Sequence, residues 1–100
     1  MSENSNKIES EKLLDDKLIR EVESRGGWCL KMLTNHITGL PDRLCLLPKG
    51  ILFFAEIKTT KKKPRKIQLW VHDKLRNLGF KVYIIDTSEG IKNIMQEYEH

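Results

Sequence analysis

Residues 39–58, GLPDRLCLLPKGILFFAEIK, constrain this chain more than any other stretch. Two apolar runs, 43–47 and 51–57, are too short for helices and rich in aliphatic and aromatic residues, and only Pro48-Lys49-Gly50 separates them. That pattern predicts a β-hairpin. Pro48 suits the first central position of a type I turn, and Gly50 the left-handed position that closes a three-residue loop. Such a loop fixes the register. With Leu47 facing Ile51, counting outward along both strands places Asp42 opposite Glu56 on one surface.

Directly opposed side chains have Cβ atoms about 4.5–5.5 Å apart, and like charges so placed destabilise a sheet. At an effective dielectric near 20 the repulsion is roughly 3 kcal/mol. Lys58, two residues beyond Glu56 and hence on the same face, can neutralise only one of the two. A divalent cation answers the geometry better, because Mg²⁺ is held by one or two carboxylates plus water and phosphate oxygens. The alternative is a solvated Asp, Glu and Lys cluster at a sheet end, and on the bare motif the two readings are even. Leu52 and Phe54 tip the balance: they share the face of Glu56 and Lys58, so the charged pair continues a buried apolar row.

Pro41-Asp42 followed by Glu56-Ile57-Lys58 resembles the PD-(D/E)xK nuclease signature. More narrowly, GLPDR, then FFAEIKT, a basic loop and Gln68 resemble the virus-type replication-repair nuclease domain, VRR-NUC, over about residues 11–86. The resemblance implies an α/β fold of the restriction-endonuclease-like type, an αβββαβ core with a mixed sheet flanked by helices, here with a C-terminal helix added. It implies Mg²⁺ or Mn²⁺ as cofactor, with Asp42, Glu56 and the Ile57 carbonyl as ligands. Lys58 would position the attacking water and help deprotonate it. Gln68 matches the glutamine on the helix after the sheet, and Glu11 the additional acidic residue, which could act on the metal through water. Glu9 and Asp15 stand close enough to exchange roles with Glu11.

Charge distribution points the same way. The 100 residues carry a formal charge of +4, a weak pointer to polyanions. Lys58, Lys61, Lys62, Lys63, Arg65 and Lys66 crowd one segment, whereas half of the 14 acidic residues lie in the N-terminal third. A solvated loop is the alternative, but its place directly after Lys58 favours contact with DNA phosphates by Lys61, Lys62, Lys63, Arg65 and Lys66. Lys31, a charge amid apolar neighbours, either reaches a phosphate or snorkels to water. Cys29 and Cys45 fall in predicted strands without CxxC spacing or histidine partners and read as buried thiols. His36 reads as a solvent-facing loop residue. No apolar leader or membrane-length segment is present in the sequence, so an intracellular, soluble protein with no membrane partner is expected.

Residues 1–7 read as a polar tail and 8–100 as a single domain. A helix is expected from Ile8 or Ser10 to about Arg25, burying Leu14, Leu18 and Val22 and stopped by Gly26-Gly27. Trp28–Leu33 reads as the first strand. After the hairpin and the basic loop, Pro64 is expected in the first turn of a helix over about 65–78. Ile67, Val71, Leu75 and Leu78 form its apolar stripe, Gln68 lies beside it, and Trp70 packs in a core or interface. Residues 81–86 read as a central or well-covered strand. Ser88 caps a last helix with Ile91, Met95 and Tyr98 inward.

The function these features imply is a metal-dependent, structure-selective DNA endonuclease. Short stand-alone VRR-NUC members resemble Holliday-junction resolvases and act as homodimers, and a phage origin fits the small format. That makes a four-way junction the expected partner and the cytoplasm of a bacterial host the expected place. The rivals are an endonuclease for flaps or nicked duplex, and a DNA-binding protein that keeps the fold without cutting.

Overall fold

The computed structural model describes residues 9–33, 36–59 and 61–99. The sequence-expected tail, 1–7, lies outside them, as do Thr34, Asn35 and Thr60 of the two polar loops. In chain order the elements are α1 (Glu11–Ser24), β1 (Trp28–Lys31), β2 (Arg43–Leu47), a 3-10 turn (Pro48–Gly50), β3 (Ile51–Ile57), α2 (Lys66–Asn77), β4 (Lys81–Ile85) and α3 (Ser88–Glu97). This is the expected αβββαβ order with a helix appended. The strands form one four-stranded sheet in the order β1-β2-β3-β4. The first three are antiparallel and β4 joins β3 in parallel, so the sheet is mixed.

The hairpin takes the predicted register, with Leu47 opposite Ile51 and Arg43 opposite Ala55. Lys49 and Gly50 both adopt positive φ, 71° and 77°, so the turn uses two left-handed residues where one was expected.

Alternation then sorts the strand residues onto two unlike faces. One carries Cys29, Cys45, Leu47, Phe53, Ala55, Ile57 and Ile85, which join Leu14, Leu18 and Val22 of α1 and Ile91, Ile94 and Met95 of α3 in the buried core. Phe53 stands edge-on to Tyr83 and stacked on Tyr98, with ring centroids 5.4 and 5.5 Å away. Cys29 and Cys45 are directly paired, buried and free, with sulfurs 3.8 Å apart. The other face carries Leu30, Leu44, Leu46, Leu52, Phe54, Val82 and Glu56. Among the described residues, α2 packs over its β4 side.

Several sequence expectations need correction. β1 ends at Lys31, two residues early: the Met32 amide still donates to the Asp42 carbonyl at 2.8 Å, and by Leu33 the chain has left the sheet, 71% exposed. β4 is an edge strand with Ile84 40% exposed. The helix α2 is rotated from its expected phase, because Gln68, Val71 and His72 are buried while Ile67 and Leu78 are exposed. Trp70, expected in a core or an interface, is 61% exposed and so is not part of this chain's core. Arg65 is the N-cap of α2, which leaves Pro64 outside the first turn. Thr87, not Ser88, caps α3, its hydroxyl accepting from the Gly90 amide at 3.0 Å. Among the described residues no helix is long and apolar enough to cross a membrane.

Candidate active site

The hairpin register carries Asp42, one residue before β2, level with Glu56 near the end of β3. Gly39 makes the approach possible. It sits at φ +97°, and a Cβ there would lie 2.9 Å from the Ile67 carbonyl oxygen of α2, so a side chain would push the segment 39–41 off the helix. Pro41 is buried and Asp42 exposed. The Asp42 carboxylate is aimed by the Ile57 amide, which donates to Oδ2 at 2.8 Å.

Glu56 is 1% exposed, a carboxylate where the strand's pattern would place an aliphatic residue. Its Oε2 accepts from Gln68 Nε2 at 2.8 Å and lies 3.7 Å from Lys58 Nζ. Its Oε1 has no hydrogen-bond partner among the described residues. Burial pushes the Glu56 carboxyl up to about 7, and the Asp42 charge adds to that, while Lys58 and Gln68 act in the opposite direction. Lys58, four-fifths buried along its side chain, is held by its amide, which donates to the Ile85 carbonyl at 2.9 Å.

The orientation of Gln68 is fixed at both ends of its amide. It occupies the third position of α2, where Oε1 accepts from the Arg65 N-cap amide at 2.8 Å and leaves the NH₂ for Glu56. Glu11, the first residue of α1, reaches the chain just past Lys58: Oε2 accepts from the Thr59 amide at 3.4 Å and lies 3.7 Å from Lys62 Nζ. The two acids that could exchange with it are engaged elsewhere. Both oxygens of Glu9 bind Ser88, through its amide and its hydroxyl, and those bonds hold the Glu9 carboxyl below its usual range. Asp15 forms a two-point pair with Arg43, at 2.9 and 2.7 Å. Glu11, Asp15, Lys31, Asp42, Arg43 and Ile57 line an open cavity of about 330 Å³ beside the carboxylates.

Lys31, Lys61, Lys62, Lys63, Arg65 and Lys66 are all exposed. Lys61, Lys62 and Lys63 lie in the loop that leaves β3 directly after Lys58, and Arg65 and Lys66 open α2.

Sequence reasoning misses one residue at the site. His72 is fully buried, with Nε2 3.7 Å from Glu56 Oε1 and no hydrogen-bond partner for either ring nitrogen among the described residues. Burial lowers its pKa, and Arg76 adds to the effect. The available signal is its spacing of four from Gln68, which puts both on one face of α2.

Among the described residues no three His, Cys, Asp or Glu side chains converge, so a cage of protein ligands is absent there. A hard cation that keeps its waters needs less. Two level carboxylates, one buried with an oxygen lacking a partner, fit that requirement.

The mixed sheet, the helix order and the Asp, Glu-x-Lys geometry together define the class: a restriction-endonuclease-like nuclease domain. No family model matches the sequence. A protein of Acyrthosiphon pisum secondary endosymbiont phage 1, described as "Putative nuclease p44", is 36% identical over 76 residues, which is 76% of this chain and 82% of the relative. A solved VRR-NUC domain superposes with a TM-score of 0.83 at 27% identity, covering 89% of this chain and 97% of that one. The chain belongs to the VRR-NUC family of PD-(D/E)xK nucleases.

Proposed function

We propose that this protein is a Mg²⁺- or Mn²⁺-dependent DNA endonuclease selective for branched DNA, acting as a homodimer on four-way junctions in the cytoplasm of a phage's bacterial host. The observation that carries the reading is Glu56: a buried carboxylate with an unpartnered oxygen, level with Asp42 and 3.7 Å from Lys58. Burying such a charge is costly unless it is compensated. A cation shared with Asp42 supplies that compensation.

Asp42, Glu56 and the Ile57 carbonyl would hold the ion, and Glu11 would act on it through water. When bound, such an ion acidifies water and offsets the negative charge that gathers on the scissile phosphate. The residues do the rest. Lys58 Nζ orients the attacking water and takes or relays its proton as the new P–O bond forms and the bond to the leaving oxygen breaks. Gln68 keeps Glu56 in one rotamer. Lys61, Lys62, Lys63, Arg65 and Lys66, with Lys31 across the cavity, neutralise flanking phosphates.

Exposed Trp28, Trp70, Phe80 and Ile84 support dimer formation, since apolar groups left open on a small domain mark interaction surfaces. A symmetric dimer presents one site to each of two strands, which matches the two-fold symmetry of a junction.

The test is an end-labelled four-way junction and a linear duplex of the same sequence, each with Mg²⁺, Mn²⁺ or EDTA. Paired symmetric cuts on the junction alone, abolished by EDTA, are expected. Cutting of flaps or nicked duplex in preference would reassign the substrate, and binding without cleavage under either metal would overturn the catalytic reading.

A further inference from the structure

We infer that His72 is a positioning residue for Glu56, its Nε2–H directed at Glu56 Oε1 while Gln68 holds Oε2. The inference deepens the proposed function, since it assigns the support of a carboxylate that reading uses as a ligand.

Buried polar groups are hydrogen-bonded in the large majority of cases, and leaving one unpaired costs about 1–3 kcal/mol. Among the described residues the buried side-chain atoms without a partner are three: Glu56 Oε1, His72 Nδ1 and His72 Nε2. Two of them face one another, with Nε2 3.7 Å from Oε1. Closing that gap to the ~2.9 Å of an N–H···O bond satisfies the Nε2 donor and fills one of the two acceptor positions of Oε1, leaving the carboxylate's charge to be balanced by a cation. Gln68 and His72 lie one turn apart on α2, so a single rigid helix then addresses both oxygens of the carboxylate.

A histidine kept only for packing would be matched by an apolar residue of similar size. This one is fully buried, and the charged group beside its Nε2 is the carboxylate at the centre of the site. Each carboxylate oxygen has two lone pairs, so a bond from His72 leaves Oε1 one direction for a cation. Partners behind a metal ligand that fix its rotamer typically change metal affinity about 10–100-fold when removed.

Two readouts test this, neither requiring DNA cleavage. In the metal-free protein, ¹⁵N NMR of the His72 ring should show Nε2 protonated and Nδ1 bare, with the Nε2 resonance moving in Glu56→Gln. A ring protonated at Nδ1, or one unaffected by Glu56→Gln, would overturn the inference. In calorimetric titration with Mn²⁺ alone, His72→Leu should bind about 10-fold more weakly than wild type. His72→Gln, whose amide nitrogen falls where Nε2 was, should restore most of the affinity, and His72→Asn, which mimics Nδ1, should not. Equal affinity in wild type and a folded His72→Leu would overturn it. If wild-type protein binds no Mn²⁺, the metal reading fails, and the NMR result alone then decides the role of His72.

Discussion

The two faces of the sheet are built to different standards. On the face under α1 and α3, Leu14, Leu18, Val22, Cys45, Phe53, Ala55 and Ile91 are all at 0% exposure. On the other, Leu30, Leu44, Leu46, Leu52 and Phe54 are only half-buried and Trp28 is 62% exposed. The helices differ in the same sense. Where α1 buries three aliphatic residues, α2 buries Val71 with Gln68 and His72. One face supplies the burial that holds the fold together. The other is thereby free to carry a carboxylate whose ionisation the protein opposes.

The sharpest way to break this contrast is to truncate neighbours on one strand that point to opposite faces. Phe53→Ala should lose about 3–5 kcal/mol in urea unfolding, because its ring is fully enclosed between Tyr83 and Tyr98. Phe54→Ala, half-buried against Phe80, should lose clearly less. Equal losses would mean that both faces share the work.

Glu56 gives the next effect, with a defined sign. Its folded pKa is raised from 4.5 to about 7, so the folded state holds this proton more tightly than the unfolded one. The associated stability is fully present below pH 4.5 and is lost as pH rises through about 7, a change of about 3 kcal/mol. Unfolding measured in EDTA should show this decline in wild type, and Glu56→Gln should remove it. A variant with the same pH slope as wild type would mean that burial of the carboxylate costs the fold nothing.

Smaller effects are expected at the exposed rim. Replacing Lys61, Lys62 and Lys63 by Ala should leave stability unchanged and flatten the dependence of log DNA affinity on log salt by about 0.9 for each phosphate no longer neutralised. An unaltered slope would exclude the loop from binding. Trp28→Ala should change monomer stability by no more than about 0.5 kcal/mol. Sedimentation would show whether it also weakens self-association, as the proposed dimer requires if the open face is used.

Much of this contrast is legible in the chain, and the misreadings have a common origin. The three-residue turn dictates the pairing of Leu47 with Ile51, and from it the level placement of Asp42 and Glu56 follows by counting. Burial of Leu14, Leu18 and Val22 follows from their spacing. The phase of α2 does not, because periodicity assumes that apolar residues turn inward. A helix that covers a carboxylate turns inward Gln68 and His72, leaving Ile67 and Leu78 outside. β4 misleads for a related reason: its continuous apolar run suits a strand covered on both faces, but coverage by helices does not give it a second neighbour in the sheet. The partner of Glu11 is out of reach of local pattern altogether, since Thr59 lies 48 residues away.

The most direct test of the claim that the polar face is a catalytic site compares wild type with Lys58→Ala on the same labelled four-way junction in Mg²⁺, measuring binding and cleavage on each sample. Lys58 makes its bond to Ile85 through the main chain, which the substitution keeps. Retained folding and junction binding with cleavage abolished is the predicted result. Turnover equal to wild type would remove Lys58 from the chemistry and contradict the catalytic reading of this face.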